Sequence, residues 1–130
     1  MVAAEFTLEC PAFAEGTAIP SVNSCDGSNL SPFLAWHNPP GAARSFALMM
    51  DDPDAPRGTF THWLLYDIPA DARELSAGDK ETGLAGQNDF QGEGYGGPCP
   101  PPTHGAHRYF FRLFALDVDS LGVRPGANRN

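Results

Sequence analysis

Glycine and proline interrupt this chain so often that long helices are not expected. The 130 residues include 14 glycines and 13 prolines, and both residue types are unfavourable in the interior of a helix. No stretch longer than a few residues combines the apolar periodicity of a helix with start and stop signals. The chain is therefore predicted to be mainly β, and its length suits a single domain, residues 1–130, with one hydrophobic core.

Four segments have the composition of β-strands. Each is rich in aliphatic or aromatic residues and is bounded by glycine, proline or aspartate. They are residues 5–10 (EFTLEC), 45–52 (SFALMMDD), 62–68 (HWLLYDI) and 107–117 (HRYFFRLFALD). The region from Pro69 to Pro102 contains no clear strand, and a loop of that length in a compact domain is usually functional or disordered.

The segment 107–117 has apolar residues on both of its faces. Tyr109, Phe111 and Leu113 share one side, whereas Phe110 and Phe114 lie on the other side among arginines. Such a strand suits the middle of a sheet whose second face meets another sheet or covering loops. The predicted fold is all-β with minor helix, an antiparallel β-sandwich.

The charge of the chain limits its partners. The formal net charge is -8, and Lys80 is the only lysine, which argues against nucleic acid and anionic lipid surfaces as partners. An anionic ligand would need a small pocket where a few donors converge. The first ten residues contain neither a basic region nor a long apolar run, so we expect a cytoplasmic protein without integral membrane contact.

The three cysteines allow two redox states. Cys10, Cys25 and Cys99 can form one disulfide and leave one free thiol, or they can all be reduced. The sequence does not decide between these states. None of the three has CxxC spacing, so a structural zinc site has little support.

Acidic residues and histidines are predicted to meet at one end of the sheet. Only nine residues separate Asp52, at the end of one strand, from His62, at the start of the next, so the two strands should pair antiparallel. If the strand 107–117 is the other antiparallel neighbour, His107 begins at the same end. A carboxylate beside an imidazole raises its pKa and fixes the ring, so that its other nitrogen can donate to an oxyanion.

These segments resemble the phosphatidylethanolamine-binding protein (PEBP) family, particularly its bacterial and archaeal branch. The resemblance is carried by SCDGSNLSPFLAW, DPDAP, HW and GYGGPCPPPTHGAHRYFFRLFALD, which follow one another in family order from about residue 24 to 117. It implies a β-sandwich with a small pocket at one end that takes phosphate-like groups and other small anions. We therefore expect a protein that binds a small anion or a phosphorylated head group, without a catalytic residue, metal ion or cofactor.

The resemblance also implies which residues form the pocket. They are Asp52, Asp54, Pro56, Phe60, His62, Gly96, Gly97, Pro98, Pro101, His107 and Tyr109. The glycines should let backbone N–H groups approach the ligand, and the prolines should hold the loop open before binding. Tyr109 adds a hydroxyl donor.

Purely structural interpretations of the same residues stay open. Asp51 and Asp54 also suit turn caps, and His62 and His107 also suit a hydrophobic core. The prolines from Pro100 to Pro102 suit a stiff connector as well as a docking segment for a partner.

Three other functions are compatible with this sequence. Cys99 could be the nucleophile of a hydrolase, with His107 as its base and an aspartate orienting the histidine. Two histidines and a carboxylate could instead hold a metal ion. The resemblance adds a third function, because some relatives inhibit kinases or serine proteases by binding them, so a kinase or protease target is also expected.

Relatives usually continue beyond the ALD strand into a C-terminal helix, whereas this chain ends at RPGANRN. We expect the lack of that helix to expose apolar surface on the sandwich. Exposed apolar surface favours self-association, so the sequence predicts a homodimer or a protein of reduced stability.

Overall fold

The computed structural model describes most of the chain. The described residues are 6–11, 13, 16, 18–25, 27–55, 58–99, 107–123 and 126. Two residues of the predicted pocket, Pro56 and Pro101, lie outside these ranges, as does the predicted docking segment Pro100–Pro102.

Seven strands and one 3-10 helix, Ser21–Asn23, form the described part of the fold. The strands are β1 (Thr7–Glu9), β2 (Leu34–His37), β3 (Ser45–Asp52), β4 (Phe60–Pro69), β5 (Glu74–Leu75), β6 (Leu84–Ala85) and β7 (Phe110–Leu116). They form two antiparallel sheets, one in the order β1-β2-β5 and the other in the order β6-β4-β3-β7. The predicted all-β fold with minor helix and antiparallel sheets is confirmed. Nothing helical in these ranges approaches the length and apolar character that a membrane-spanning helix needs.

The central pair of strands agrees best with the sequence pattern. Strand β3 has the predicted bounds, and β4 begins at Phe60, two residues before the predicted start at His62. The predicted antiparallel pairing is confirmed on both sides of β3, with Asp52 opposite Phe60 in β4 and Asp51 opposite Phe110 in β7. Three short strands, β2, β5 and β6, were not predicted.

The predicted position of the last strand is wrong. In the described part of the sheet β7 pairs with β3 alone and forms an edge. Its outer face is open, with Phe110 and Phe114 about 39% and 44% exposed. The guanidinium carbons of Arg108 and Arg112 lie 5.6 Å and 5.7 Å from the centre of the Phe110 ring. Arginine side chains can cover apolar surface in this way. The apolar residues on the outer face of β7 are therefore accounted for without a second sheet packed against that face.

The hydrophobic core fills the space between the two sheets. Phe46, Leu48 and Met50 alternate along β3 and are fully buried, as the period of a strand requires. Trp36 of β2 packs against Phe46, with ring centres 5.6 Å apart, and so joins one sheet to the other. Burial continues into the polar ends of β3 and β4, where aspartate, threonine and histidine are 1–3% exposed. Buried polar groups require partners, and these partners define the candidate site.

Candidate functional site

A β-bulge lies at His62. Met50 is paired with Trp63 and the next residue, Asp51, is paired with Thr61, so His62 has no partner across the ladder. An extra residue of this kind interrupts the regular alternation of a strand and turns a side chain in a new direction. The bulge therefore sets the direction of the His62 ring at the end of the sheet.

His62 is held by the loop that follows residue 95. Its Nδ1 atom lies 2.7 Å from the carbonyl oxygen of Gly96, and because a carbonyl only accepts, Nδ1 is the donor. Burial lowers the pKa of His62 below its ordinary value, and the bond to Gly96 and the nearby Asp52 only partly oppose this effect. The expectation that an acid keeps this imidazole charged is therefore wrong for His62. In its neutral form His62 is protonated on Nδ1 and can accept a hydrogen bond at Nε2.

The carboxylate of Asp52 contacts the second histidine. Asp52 Oδ2 accepts a hydrogen bond of 2.6 Å from His107 Nδ1, and the two side chains are only 4% and 8% exposed. The other oxygen, Oδ1, accepts a hydrogen bond of 2.8 Å from the backbone N–H of Asp54. The structure thus brings Asp52 and His107 together at the end of the sheet, as the strand order predicted.

Asp54 is bound to Arg108, which the sequence analysis did not include in the site. Its carboxylate accepts hydrogen bonds from Nε and Nη2 of Arg108, both at 2.9 Å, and one of 2.7 Å from the Arg108 backbone N–H. These bonds lower the pKa of Asp54 from 3.8 to about 2. Asp54 therefore anchors the segment 107–109 to the loop after β3, and Arg108 places a cation next to His107.

Tyr109 lies between the two histidines. Its ring centre is 5.3 Å from that of His62, edge to face, and 6.5 Å from that of His107 in a nearly parallel orientation. Burial, and then the charges of Asp52 and Asp54, raise the pKa of Tyr109 to about 12. Its hydroxyl group therefore keeps its proton at neutral pH and can act as a hydrogen-bond donor.

Residues Gly96, Gly97 and Pro98 form the lip of the site. The N–H of Gly96 donates to the His62 carbonyl at 2.9 Å, and the N–H of Gly97 donates to Asn29 Oδ1 at 2.9 Å. The expectation that these N–H groups approach the ligand is therefore wrong, because both already donate to protein oxygens. Packing explains the glycine at position 97, because a Cβ atom there would lie 2.2 Å from the Asn23 carbonyl oxygen.

A disulfide fastens this lip to the turn after the 3-10 helix. Cys25 and Cys99 are bonded, with their Cα atoms 5.3 Å apart, and the Cys25 N–H also donates to the Pro98 carbonyl at 3.1 Å. Cys10 is a free, half-buried thiol. The hydrolase hypothesis based on Cys99 is wrong for this structure, because a disulfide sulfur has no thiolate with which to attack.

The metal hypothesis involved the two histidines and Asp52. The Nδ1 atom of His62 donates to the Gly96 carbonyl, and that of His107 donates to Asp52. Across the ranges that the structure describes, no three histidine, cysteine, aspartate or glutamate side chains converge in a way that would hold a metal ion.

Two phenylalanines border the histidines. Phe60 belongs to the predicted set, and its ring centre is 5.0 Å from that of His62. Phe90 was not predicted, although its ring centre is 4.7 Å from that of Phe60 and 5.3 Å from that of His62. We call Phe60 and Phe90 the aromatic wall. The sequence NDF at 88–90 carries a turn signal that could have pointed to this loop.

Comparison with known proteins identifies close relatives of this chain. A sequence profile described as phosphatidylethanolamine-binding protein matches residues 9–130. The UPF0098 protein of Aquifex aeolicus is 54% identical over 122 residues, which cover 90% of this chain and 71% of that protein. A Mycobacterium tuberculosis relative named as a lipoprotein, LppC, is 41% identical over 93% of this chain and 60% of its own length. The crystal structure of Escherichia coli YbcL, described as a member of the mammalian PEBP family, superposes with a TM-score of 0.88 at 30% identity, covering 95% of this chain and 84% of YbcL.

Proposed function

Since this chain belongs to the phosphatidylethanolamine-binding protein family, we propose that it binds a small anion or a phosphorylated head group at the site around Asp52 and His107. The protein acts through binding and does not turn its ligand over. The observation that carries this proposal is the buried hydrogen bond between Asp52 and His107, 2.6 Å long, at the end of β3.

The Asp52–His107 pair supplies a donor for an anion. The carboxylate fixes the orientation of the imidazole ring by accepting a hydrogen bond from its Nδ1. Arg108 adds positive charge nearby, although its guanidinium group also binds Asp54. In a chain with a net charge of -8, such local donors have to overcome an unfavourable overall field. The ligand is therefore small.

His62 contributes an acceptor to the same site. Its neutral form, which burial favours, can accept a hydrogen bond at Nε2, and Tyr109 can donate one from its hydroxyl group. A hydrogen phosphate group has both oxyanions and a P–OH donor. It therefore matches a site that offers both hydrogen-bond donors and the neutral His62 acceptor better than a fully deprotonated anion does.

Titration of the protein with inorganic phosphate and with phosphoethanolamine, followed by NMR, tests this proposal. We expect His107→Ala and Asp52→Asn to weaken binding at least tenfold, because each removes a charge-assisted contact, while both variants stay folded. His37→Ala is the control, since His37 is 53% exposed and pairs with Glu9. Saturable binding that survives both site substitutions would contradict the proposal.

A kinase or protease target stays a proposal of its own. It depends on the resemblance to relatives that act in this way, and it is compatible with anion binding. Adding the purified chain to a panel of kinases and serine proteases tests it, and we expect one of them to bind the chain and lose activity. If every enzyme keeps its full activity, this part of the proposal is wrong.

The cytoplasmic location also stays a proposal. The Cys25–Cys99 disulfide counts against it, since such bonds persist mainly in oxidising compartments. A location outside the cytoplasm would also agree with the name of the M. tuberculosis relative. Alkylation of free thiols in intact cells, followed by cell fractionation, distinguishes the two. Labelling of all three cysteines in the cytoplasmic fraction would support the cytoplasm.

The homodimer is a further proposal. Phe110 and Phe114 are exposed on the outer face of the edge strand β7, and a second copy could cover them. Sedimentation equilibrium over a range of concentrations measures the association. We expect a dimer that Phe114→Lys dissociates, and a monomer at every concentration would contradict this expectation.

A further inference from the structure

Phe90 is an exposed aromatic residue on a firmly held backbone. Phe90 is 46% exposed. Asn88 Oδ1 accepts hydrogen bonds from the N–H groups of Phe90 and Gly92, at 2.9 Å and 3.1 Å, and Asn88 Nδ2 donates to the Gly94 carbonyl at 3.0 Å. An Asx turn of this kind fixes the direction of the following residue. The position of Phe90 is therefore set before any ligand arrives.

The turn that carries Phe90 is also tied to the strand that carries the site. The N–H of Asp89 donates to the Thr61 carbonyl at 2.8 Å, and the N–H of Thr61 donates to Asp89 Oδ2 at 2.6 Å. Thr61 stands between Phe60 and His62 in β4. These two bonds hold the aromatic wall and the His62 ring in one arrangement.

The aromatic wall continues into the lip of the site. A Cβ atom at Gly96 would lie 2.4 Å from Cδ2 of Phe90, so the Phe90 ring occupies the space that a side chain at position 96 would take. The carbonyl of the same glycine binds His62 Nδ1. Phe90 therefore forms an apolar surface directly beside His62, one of the polar groups that the proposed function assigns to the anion.

We propose that Phe90, together with Phe60, selects phosphate esters that carry an apolar or aromatic group over inorganic phosphate. This inference rests on the proposed function, because it assigns the organic part of the same ligand. Once the phosphate group lies against His107, the organic group would pack on the aromatic wall and remove apolar surface from water. Because the wall is already fixed, little ordering is needed on binding.

Parallel titrations with inorganic phosphate and phenyl phosphate, at one pH and one ionic strength, test the inference. We expect the native chain to bind phenyl phosphate about tenfold more tightly than phosphate. In Phe90→Ala the ratio of the two affinities should fall to about twofold or less, because only Phe60 then remains of the aromatic wall. Phe114→Ala is the matched control, since Phe114 is 44% exposed and lies on the outer face of β7. This variant should keep the tenfold preference.

The outcomes separate this inference from the proposed function. If the native chain binds phosphate and phenyl phosphate equally, or if Phe90→Ala keeps the preference, the inference is wrong and the anion site stands. If neither compound binds the native chain, both proposals fail. Phe90→Leu, which keeps apolar volume without an aromatic face, should retain part of the preference, and NMR spectra of all variants check that they are folded.

Discussion

The imidazole Nδ1 of His107 lies 2.6 Å from the carboxylate Oδ2 of Asp52, although the two residues are 55 positions apart in the chain. The pairing of β3 with β7 brings them together, since Asp51 stands opposite Phe110. Asp52 ends β3 and His107 lies three residues before β7. The pairing of β3 with β7 is thus part of the fold and also produces the central contact of the candidate site.

Asp52→Asn is expected to lower the free energy of unfolding by about 2–3 kcal/mol, because it leaves a buried histidine without its charged partner. Urea denaturation measures this change. Asp119→Asn is the matched control. Asp119 also pairs with a cation, Arg44, but the two side chains are 73% and 58% exposed, and exposed pairs contribute little. Equal losses in the two variants would show that burial of the Asp52–His107 pair has no energetic role.

The pKa of Asp54 predicts how the loop after β3 responds to acid. Its folded-state pKa is about 2, below the ordinary 3.8, mainly because of Arg108. A lowered carboxyl pKa stabilises the folded state above the unfolded pKa, and this contribution is lost as the pH falls from about 4 to about 2. NMR titration of the Asp54 side-chain carbon should give a midpoint near 2, and Arg108→Ala should raise it only part of the way to 3.8, because the backbone N–H of residue 108 still donates to Asp54. A native midpoint near 3.8 would contradict the prediction.

The pKa of His62, which is a base, also predicts that the folded state loses stability as the pH falls. Burial lowers it below 6.5, so the unfolded chain takes up a proton at a higher pH than the native chain does. The folded state should lose stability as the pH falls from 6.5 through the native pKa of His62. Nitrogen-15 NMR should show Nδ1 protonated at neutral pH. A midpoint above 6.5 would mean that His62 is the charged histidine.

Loss of the Cys25–Cys99 disulfide should destabilise the fold and loosen the lip. The bonded residues are 74 positions apart, and closing a loop of that length is worth about 4 kcal/mol in the chain-entropy description. We expect Cys99→Ser to lower the melting temperature and to speed amide exchange at Gly96 and Gly97. Cys10→Ser, at the free cysteine, should have a much smaller effect. Unchanged exchange in Cys99→Ser would mean that hydrogen bonds alone hold the lip.

Gly97→Ala should be more harmful than Gly96→Ala. A Cβ at Gly97 would approach the Asn23 backbone oxygen to 2.2 Å, whereas at Gly96 the nearest atoms belong to the Phe90 ring, which can turn away by leaving the aromatic wall while its backbone stays in place. We expect Gly97→Ala to lower stability by about 1–3 kcal/mol. Gly41→Ala is the control, because a Cβ there has no neighbour within 4 Å. Thermal unfolding of the three variants should give the order Gly97, Gly96, Gly41, from most to least destabilised.

The long central strands could be predicted from sequence, but several shorter features could not. Strand β3 alternates core residues from Phe46 to Met50, and its bounds were predicted correctly. Strand β2 has only four residues, which is too few for a period to be recognised. The edge position of β7 depends on which strand lies beside it, and local composition does not contain this information.

Sequence reasoning placed residues at the strand ends correctly relative to one another and missed contacts that loops make. Antiparallel order was enough to place Asp52 near His107. The aromatic wall and the disulfide result from the path of the loop between β6 and β7, which brings Phe90 to Phe60 and Cys99 to Cys25. Hydrogen bonds to asparagine side chains at positions 29 and 88 fix that path. No pattern of neighbouring residues encodes such long-range contacts.

The pairing of β3 with β4 does not require the bulge at His62. Removing this one residue would leave Thr61 and Trp63 adjacent in β4, opposite Asp51 and Met50, which are already adjacent in β3. The ladder would then run without interruption from Leu48 to Asp52. If the proposed function is right, a chain shortened by His62 alone should retain the sandwich and lose phosphate binding.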